Sequence, residues 1–299
     1  MRLAFIGFGE VASAFAAAFA ARSTDVAAYD VLIAQPGGIE RLNARSVGTK
    51  VAFRGLAEAL YGANYVLSTV TTSVAREAAR QCVPHLGAAQ TYVDMNATDP
   101  AVKVEIGRIV APSGAAFVEG AVLGAVGVTG VKTEILLGGP HGRRAERELG
   151  ALGLNVRFYS EEIGKASMFK MLRSVFSKGM EALLIEFLVA GECAGIREDL
   201  WREVTELFAQ HPFEKTASNW VRSHATAHAR RYHEMVQVAG VLRQLGVEPT
   251  VTAATEAFFR RSGSLGLERA FKSTPATMDE IVRYLEGRLR APAHRERQQ

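Results

Sequence analysis

The stretch Leu3-Ala4-Phe5-Ile6-Gly7-Phe8-Gly9-Glu10-Val11-Ala12 constrains this chain more than any other. Four apolar residues run into a glycine turn, and an alanine-rich segment, Glu10 to Arg22, follows at once. A buried strand that turns through G-x-G-x-x-A into a helix aims the helix's free N–H groups and positive end at one point, which suits a pyrophosphate. In such a turn Gly7 permits the tight bend and Gly9 lets the backbone come close to the phosphates. Ala12 is small enough for helix and strand to pack closely. Phe8, Glu10 and Val11 complete the expected contacts. Asp30 ends a second strand, Val26 to Tyr29, where a carboxylate binds both ribose hydroxyls and repels a 2′-phosphate. NAD is therefore expected ahead of NADP. A plainer role for Asp30, capping the segment that follows it, stays open.

The same alternation continues. Val51 to Phe53, Tyr65 to Val70, Thr91 to Met95, Ala116 to Val118 and Glu134 to Leu137 read as strands. Helical segments lie between them at Leu56 to Tyr61, at Ser73 to His85, and from Pro100, where Thr98 or Asp99 can cap. The strands are unbroken apolar runs, as in a parallel sheet covered on both faces. The fold class expected is α/β, a Rossmann-type doubly wound parallel sheet followed by an all-α C-terminal domain. Thr69 and Val70, at the end of one strand, and Asn96, after another, lie on the edge where open α/β sheets bind ligands. They are expected to touch the cofactor.

Beyond residue 160 no strand pattern appears. Ile163 to Ala190 reads as a single helix of roughly seven turns, apolar on nearly every face in its later half and so expected to be buried. The boundaries expected are 1–160 for the dinucleotide-binding domain and 161–290 for a helical substrate and dimerisation domain. The polar, basic residues 291–299 form a tail expected to be disordered. A chain of 299 residues has room for these two domains. Its net charge of +4 is scattered and calls for no nucleic acid, though it suits a small anionic substrate. No apolar run reaches the ~20 residues of a membrane span. The N-terminal apolar stretch is broken by Gly7, Gly9 and Glu10, against a secretory signal. Cys82 and Cys193 are expected as buried thiols in a reducing cytoplasm. Trp201 and Trp220 are expected in the core.

Lys170, Arg173, Ser174, Ser177 and Glu181 are spaced by three or four residues, forming one polar stripe on the otherwise apolar long helix. Such a stripe needs water, partners or a cleft. The helix opens with Gly164, Ala166 and Lys170 in a G-x-[GA]-x-x-x-K pattern. With the N-terminal glycine turn, this resembles the 6-phosphogluconate-dehydrogenase-like and β-hydroxyacid dehydrogenase superfamily. Arg230-Arg231-Tyr232-His233-Glu234-Met235, Leu245-Gly246-Val247-Glu248-Pro249 and Thr252-Ala253-Ala254-Thr255 resemble a prokaryotic branch of it, whose helical C-terminal domain was long of unknown function. The resemblance implies Lys170 as catalytic acid/base and a homodimer.

Two positions depart from the hydroxyacid dehydrogenases. Their D-x-P-V-S-G-G loop, which holds the substrate carboxylate, corresponds to Glu119-Gly120-Ala121-Val122-Leu123-Gly124-Ala125, with Leu123 in place of serine. Arg173 replaces an asparagine. Leu123, Gly124, Arg173, Ser174 and Arg231 are the expected substrate contacts, Arg231 as a bidentate anion clamp. Burial and Arg173 are both expected to lower the Lys170 pKa. His224 and His228, four residues apart, lack a third ligand at suitable spacing, so no metal is expected. The function expected is a dehydrogenase moving hydride between a nicotinamide and a small hydroxylated acid, with decarboxylation of a β-keto acid product left open. The alternatives are an NADPH-dependent ketone or imine reductase, and an NAD-binding sensor or scaffold without turnover.

Overall fold

The computed structural model describes residues 1–22 and 24–290, so the expected disordered tail, 291–299, lies outside the described residues. The chain divides into two compact units, Met1–Val175 and a second beginning at Phe176.

The first unit is built on eight strands: β1 Arg2–Ile6, β2 Asp25–Tyr29, β3 Val51–Phe53, β4 Tyr65–Ser68, β5 Thr91–Asp94, β6 Ala116–Leu123, β7 Glu134–Gly138 and β8 Val156–Ser160. They form one sheet in the order β3-β2-β1-β4-β5-β6-β7-β8. The period of two divides each strand between the faces: Leu3 and Phe5 join one core with Phe8, Phe15 and Phe19. Ala4 and Ile6 join the other with Val66, Tyr92 and Ile106. Both faces are buried, hence the unbroken apolar runs.

The sheet is not wholly parallel. β6 and β7 pair antiparallel, Glu119 opposite Gly138 and Leu123 opposite Glu134. Residues 124–133 between them are too few for the crossover a parallel pair needs. β6 also extends five residues past the expected Ala116 to Val118, and β8 was not expected at all. Its sequence, Val-Arg-Phe-Tyr-Ser, lacks the apolar run of the central strands.

Helices α1 Glu10–Ala20, α2 Gly38–Arg45, α3 Leu56–Leu60, α4 Ala75–Cys82, α5 Pro100–Val110, the single turn α6 Val126–Thr129, and α7 Gly142–Ala151 connect the strands. Asp99 caps α5, its Oδ1 accepting from Val102 N at 3.0 Å with Pro100 as first helical residue.

The long helix α8 spans Lys165–Cys193, 29 residues, and the division between the units falls within it. The turns that carry Lys170 therefore belong with the sheet. The second unit continues through α9 Arg197–Gln210, α10 Phe213–Gln244, α11 Thr250–Gly263, α12 Leu267–Ala270 and α13 Met278–Leu289, all helical. Glu186, from the later half of α8, receives Val251 N at 2.7 Å and Thr252 N at 2.8 Å and so caps α11. Several expectations of burial fail here. Leu183, Ile185 and Val189 on α8 are 46%, 59% and 46% exposed, and Trp201 and Trp220 are each 46% exposed. Cys193 is exposed, while Cys82 is buried as expected. The fully buried apolar cluster of this unit is small, Ala225, Leu267 and Ile281, and leaves those side chains uncovered.

Candidate functional site

The glycine turn is built as a phosphate cradle. Gly7 has φ +81°, and a Cβ there would lie 2.8 Å from Val70 Cγ1 and 3.1 Å from Thr69 O, so no other residue fits. At Gly9 a Cβ would meet nothing within 4 Å, which leaves the space above the turn open. No side chain caps α1, so its first amides face that space without a protein acceptor. The chain's own residues thus fit a dinucleotide pyrophosphate. Asp30 has the plainer role set out above: its Oδ2 accepts from Phe8 N at 2.8 Å and its Oδ1 from Leu32 N at 2.9 Å. Phe8 consequently spends its amide on Asp30, and its ring is fully buried against Phe5 and Phe53.

Two cavities meet along the ends of β1, β4 and β5, sharing Thr69, Val70 and Thr71. One, of about 480 Å³, contains Gly7, Phe8, Gly9, Asp30 and Arg45. The other, of about 430 Å³, contains Glu10, Val11, Asn96, Val122, Gly124 and Lys170. An adenosine half suits the first and a nicotinamide half with substrate the second.

Lys170 is partly buried, and its pKa lies below the usual lysine value. Burial is the larger cause and the positive charge of Lys103 the smaller. The expected contribution of Arg173 is replaced by that of Lys103. Arg173 is exposed, lies on the next turn of α8, and is absent from the crevice lining.

Lys103 was missed in the sequence. It is fully buried on α5, where its Nζ donates to Asp94 O at 2.8 Å, Asp94 Oδ2 at 2.9 Å and Asn96 O at 2.7 Å. Asp94 in turn accepts from the Asn96 side-chain amide. The Asn96 Nδ2 also donates to Ser68 Oγ at 3.0 Å. All donors of Asn96 are therefore turned inward, and its buried Oδ1 is left without a partner. A signal for Lys103 exists: Val102, Ile106 and Val110 share its helix face, and all are buried.

Glu119 was also missed as a functional residue. It is fully buried on β6, and its carboxylate receives Gly164 N at 2.9 Å, Ala166 N at 2.7 Å and Ser167 Oγ at 3.2 Å. These bonds anchor the first turn of α8, one turn before Lys170. Burial raises the Glu119 pKa, while the amides of Ala166 and Gly164 pull it back. Opposite it stands Gly138, where a Cβ would collide with the carboxylate. Leu123 does not face the crevice. It packs with Ala166, Phe169 and Leu136 beneath the same helix, so it supports Lys170 from behind. Ser174 Oγ donates to Lys170 O at 3.0 Å along the helix.

Arg231 belongs to the second unit. Its guanidinium donates to Trp220 O at 3.3 Å and Ser223 Oγ at 2.7 Å, and it lines a cavity of about 540 Å³ with Trp220, His224, Phe258 and Phe259. His224 is buried, with Nε2 2.9 Å from Ser262 Oγ, and its pKa is lowered to about 4 by burial and by His228 and Arg231. Among the described residues no group of three His, Cys, Asp or Glu is placed to hold a metal. None of the described helices is long and apolar enough to cross a membrane.

Residues 2–98 match the family model described as NADP oxidoreductase, coenzyme F420-dependent, and residues 192–262 match a domain of unknown function, DUF1932. A conserved hypothetical protein from Sinorhizobium meliloti 1021 is 30% identical with 96% of each chain covered and a TM-score of 0.61. A second conserved protein of unknown function, described as structurally similar to 3-hydroxyacid dehydrogenases, is also 30% identical. There the match covers 87% of this chain and 96% of the other at a TM-score of 0.59. An imine reductase from Streptomyces aurantiacus shares the fold at 18% identity, 95% and 99% coverage and a TM-score of 0.73. On these matches the chain belongs to the 3-hydroxyacid-dehydrogenase-like superfamily that includes 6-phosphogluconate dehydrogenase, in the branch carrying the DUF1932 domain.

Proposed function

We propose that this NAD(P)-dependent oxidoreductase oxidises or reduces a small molecule at a carbon bearing oxygen or nitrogen, with Lys170 as the acid/base. One observation carries the reading: a partly buried lysine of lowered pKa lines the same crevice as the phosphate-binding helix and the ends of the central strands. A bound nicotinamide supplies the hydride acceptor or donor. Lys170 Nζ takes the proton from the substrate heteroatom in oxidation and returns it in reduction. The small hydroxylated acid, oxidised at CH–OH and open to later decarboxylation, is one form of this reading, with Gly124 at its acid end. Reduction of a ketone or imine is the second, favoured by the Glu10 carboxylate in the crevice.

Asp30 supports NAD ahead of NADP, because its carboxylate borders the adenosine cavity and opposes a 2′-phosphate. Parallel titrations with NADH and NADPH test this, and tighter binding of NADPH would reverse it. The free thiols of Cys82 and Cys193 suit a reducing cytoplasm, and the exposed apolar side chains of the helical unit suit a homodimer. The deciding experiment is Lys170→Met. Turnover is expected to fall at least ~10²-fold while NADH affinity stays within a factor of about three. Retained turnover would remove Lys170 from the chemistry, and a sensor without turnover would show cofactor binding with no reaction in either protein.

A further inference from the structure

We propose that the helical unit carries a second small-molecule site, for a flat aromatic carboxylate, in the cavity that Arg231 shares with Trp220, His224, Phe258 and Phe259. The site does not depend on the chemistry assigned to Lys170, and the two cavities have no lining residue in common.

The whole lining belongs to one unit: Trp220, His224 and Arg231 come from α10, Phe258 and Phe259 from α11, and Leu285 from α13. Its volume of about 540 Å³ falls within the roughly 300–1,000 Å³ of cavities that take small ligands. The walls are rings. Phe258 and Phe259 meet edge to face with centres 6.1 Å apart, and the His224 ring lies 5.6 Å from the first and 5.5 Å from the second. Trp220 and Phe258 are each 46% exposed, which leaves large apolar faces open to a planar ligand.

Arg231 brings a cation to these rings. Its Nη1 donates to Trp220 O at 3.3 Å and its Nη2 to Ser223 Oγ at 2.7 Å, both neutral acceptors. Among the described residues no carboxylate lies within ion-pair distance of Arg231, whereas the adjacent Arg230 is paired with Glu234. The guanidinium is thus held in place without being neutralised, and its remaining N–H donors are left for an anion. Its charge is felt at His224, whose pKa is lowered to about 4 by burial, by His228 and by Arg231. The Ser262 hydroxyl donates to Phe258 O at 3.0 Å and so takes the Nε2–H of His224 at 2.9 Å. His224 therefore serves as a neutral ring of the wall. Arg261, its guanidinium 5.9 Å from the Phe258 ring centre, adds to the positive field. The Glu268 carboxylate, 4.0 Å from His228 Nε2, lines no part of the cavity. An aryl group covers the apolar faces while its carboxylate meets Arg231. A second copy of the chain over the same cavity would have to strip water from that unpaired charge.

The test uses the full chain with two probes of one shape, 2-naphthoate and its uncharged amide, 2-naphthamide, titrated by calorimetry and by NMR on labelled tryptophan. The chain has two tryptophans, so Trp201→Phe assigns the remaining indole N–H signal to Trp220. Naphthoate is expected to move the Trp220 signal and to bind at least about tenfold tighter than naphthamide. Arg231→Met is expected to abolish that preference. Because this variant also loses two internal hydrogen bonds, Phe258→Leu provides a second reading, in which both probes weaken several-fold and the preference for the carboxylate stays. Saturating NADH is expected to leave naphthoate affinity unchanged. A Trp220 signal unmoved by millimolar naphthoate would overturn the proposal, and this is also the result if a second copy covers the cavity. Equal affinity for the amide, or a preference that survives Arg231→Met, would overturn it as well. Displacement of naphthoate by NADH would move the binding to the dinucleotide crevice and end the proposal, while the oxidoreductase reading would stand.

Discussion

The chemistry of single side chains depends on what lies behind them. Lys170 owes its lowered pKa first to burial and then to Lys103, a cation locked under the crevice by three oxygens. A group whose pKa is lowered loses its proton earlier as pH rises, so a reaction that uses neutral Lys170 as base gains rate below the usual lysine range. Lys103→Met alone would strand the buried Asp94 charge, at a cost of about 3–5 kcal/mol. The double variant Lys103→Met, Asp94→Asn removes both charges together. There the Lys170 titration, followed by NMR on labelled lysine, is expected to move upward. An unmoved titration would mean that burial alone sets it. His224 works in the opposite sense for stability. With a folded pKa near 4 against an ordinary 6.5, the unfolded chain binds the extra proton between those values. The stabilisation is complete above pH 6.5 and drains away as pH falls toward 4, by on the order of 2 to 3 kcal/mol. Melting temperatures across this range should fall in the unaltered protein and flatten in His224→Gln; parallel curves would assign the acid sensitivity elsewhere. Sequence made Lys170 visible because a lysine on an apolar helix needs a reason. Lys103 drew less notice because the short helix α5 also carries Glu105 and Arg108, although its place among Val102, Ile106 and Val110 was a signal. Asp30 was legible as a carboxylate at a strand end. That its oxygens would turn to Phe8 N and Leu32 N is a matter of loop geometry, which no letter records.

At the scale of elements, the position of Lys170 is decided by how α8 begins. Gly164 and Ala166 amides and the Ser167 hydroxyl all converge on Glu119, and Ala166 and Phe169 pack on Ala121, Leu123 and Leu136. Glu119→Ala would leave buried amides without acceptors, at about 2–4 kcal/mol. A lower melting temperature and a fall in turnover larger than any loss of NADH affinity are expected, since the phosphate turn sits on a different helix. If NADH affinity fell and turnover held, the clamp would serve the sheet rather than the lysine. The same elements mark how far the sequence could be read. The central strands were legible because burial on both faces leaves continuous apolar letters, and α8 because its 29 residues carry no proline. β8 was not, because an edge strand mixes Arg157 and Tyr159 with Val156 and Phe158, and its pairing with β7 is a long-range choice. The reversal at β7 was hidden for a related reason: strand direction depends on the length of the connection, while apolar letters report only burial.

For the molecule as a whole, the helical unit leaves apolar area that a single chain does not cover. Leu183, Ile185 and Val189 on α8 and Val236, Val238 and Val241 on α10 are between 39% and 59% exposed. At about 25 cal/mol per Å² of apolar surface removed from water, covering such side chains supplies several kcal/mol towards association. A second copy of the chain is the partner this reading assigns, and light scattering on the purified protein should then give twice the 32.3 kDa of one chain. Ile185→Asp places a charge where a partner would have to desolvate it, which costs far more than the lost methylene contacts. This residue is 59% exposed in the single chain, so the variant should fold normally. The expected outcome is a shift toward 32.3 kDa with helical content retained and NADH still bound by the first unit. An unaltered mass in both proteins would move the association surface away from this face of α8. A 32.3 kDa species for the unaltered chain at all concentrations would leave the exposed stripe without its assigned partner and end the dimer reading.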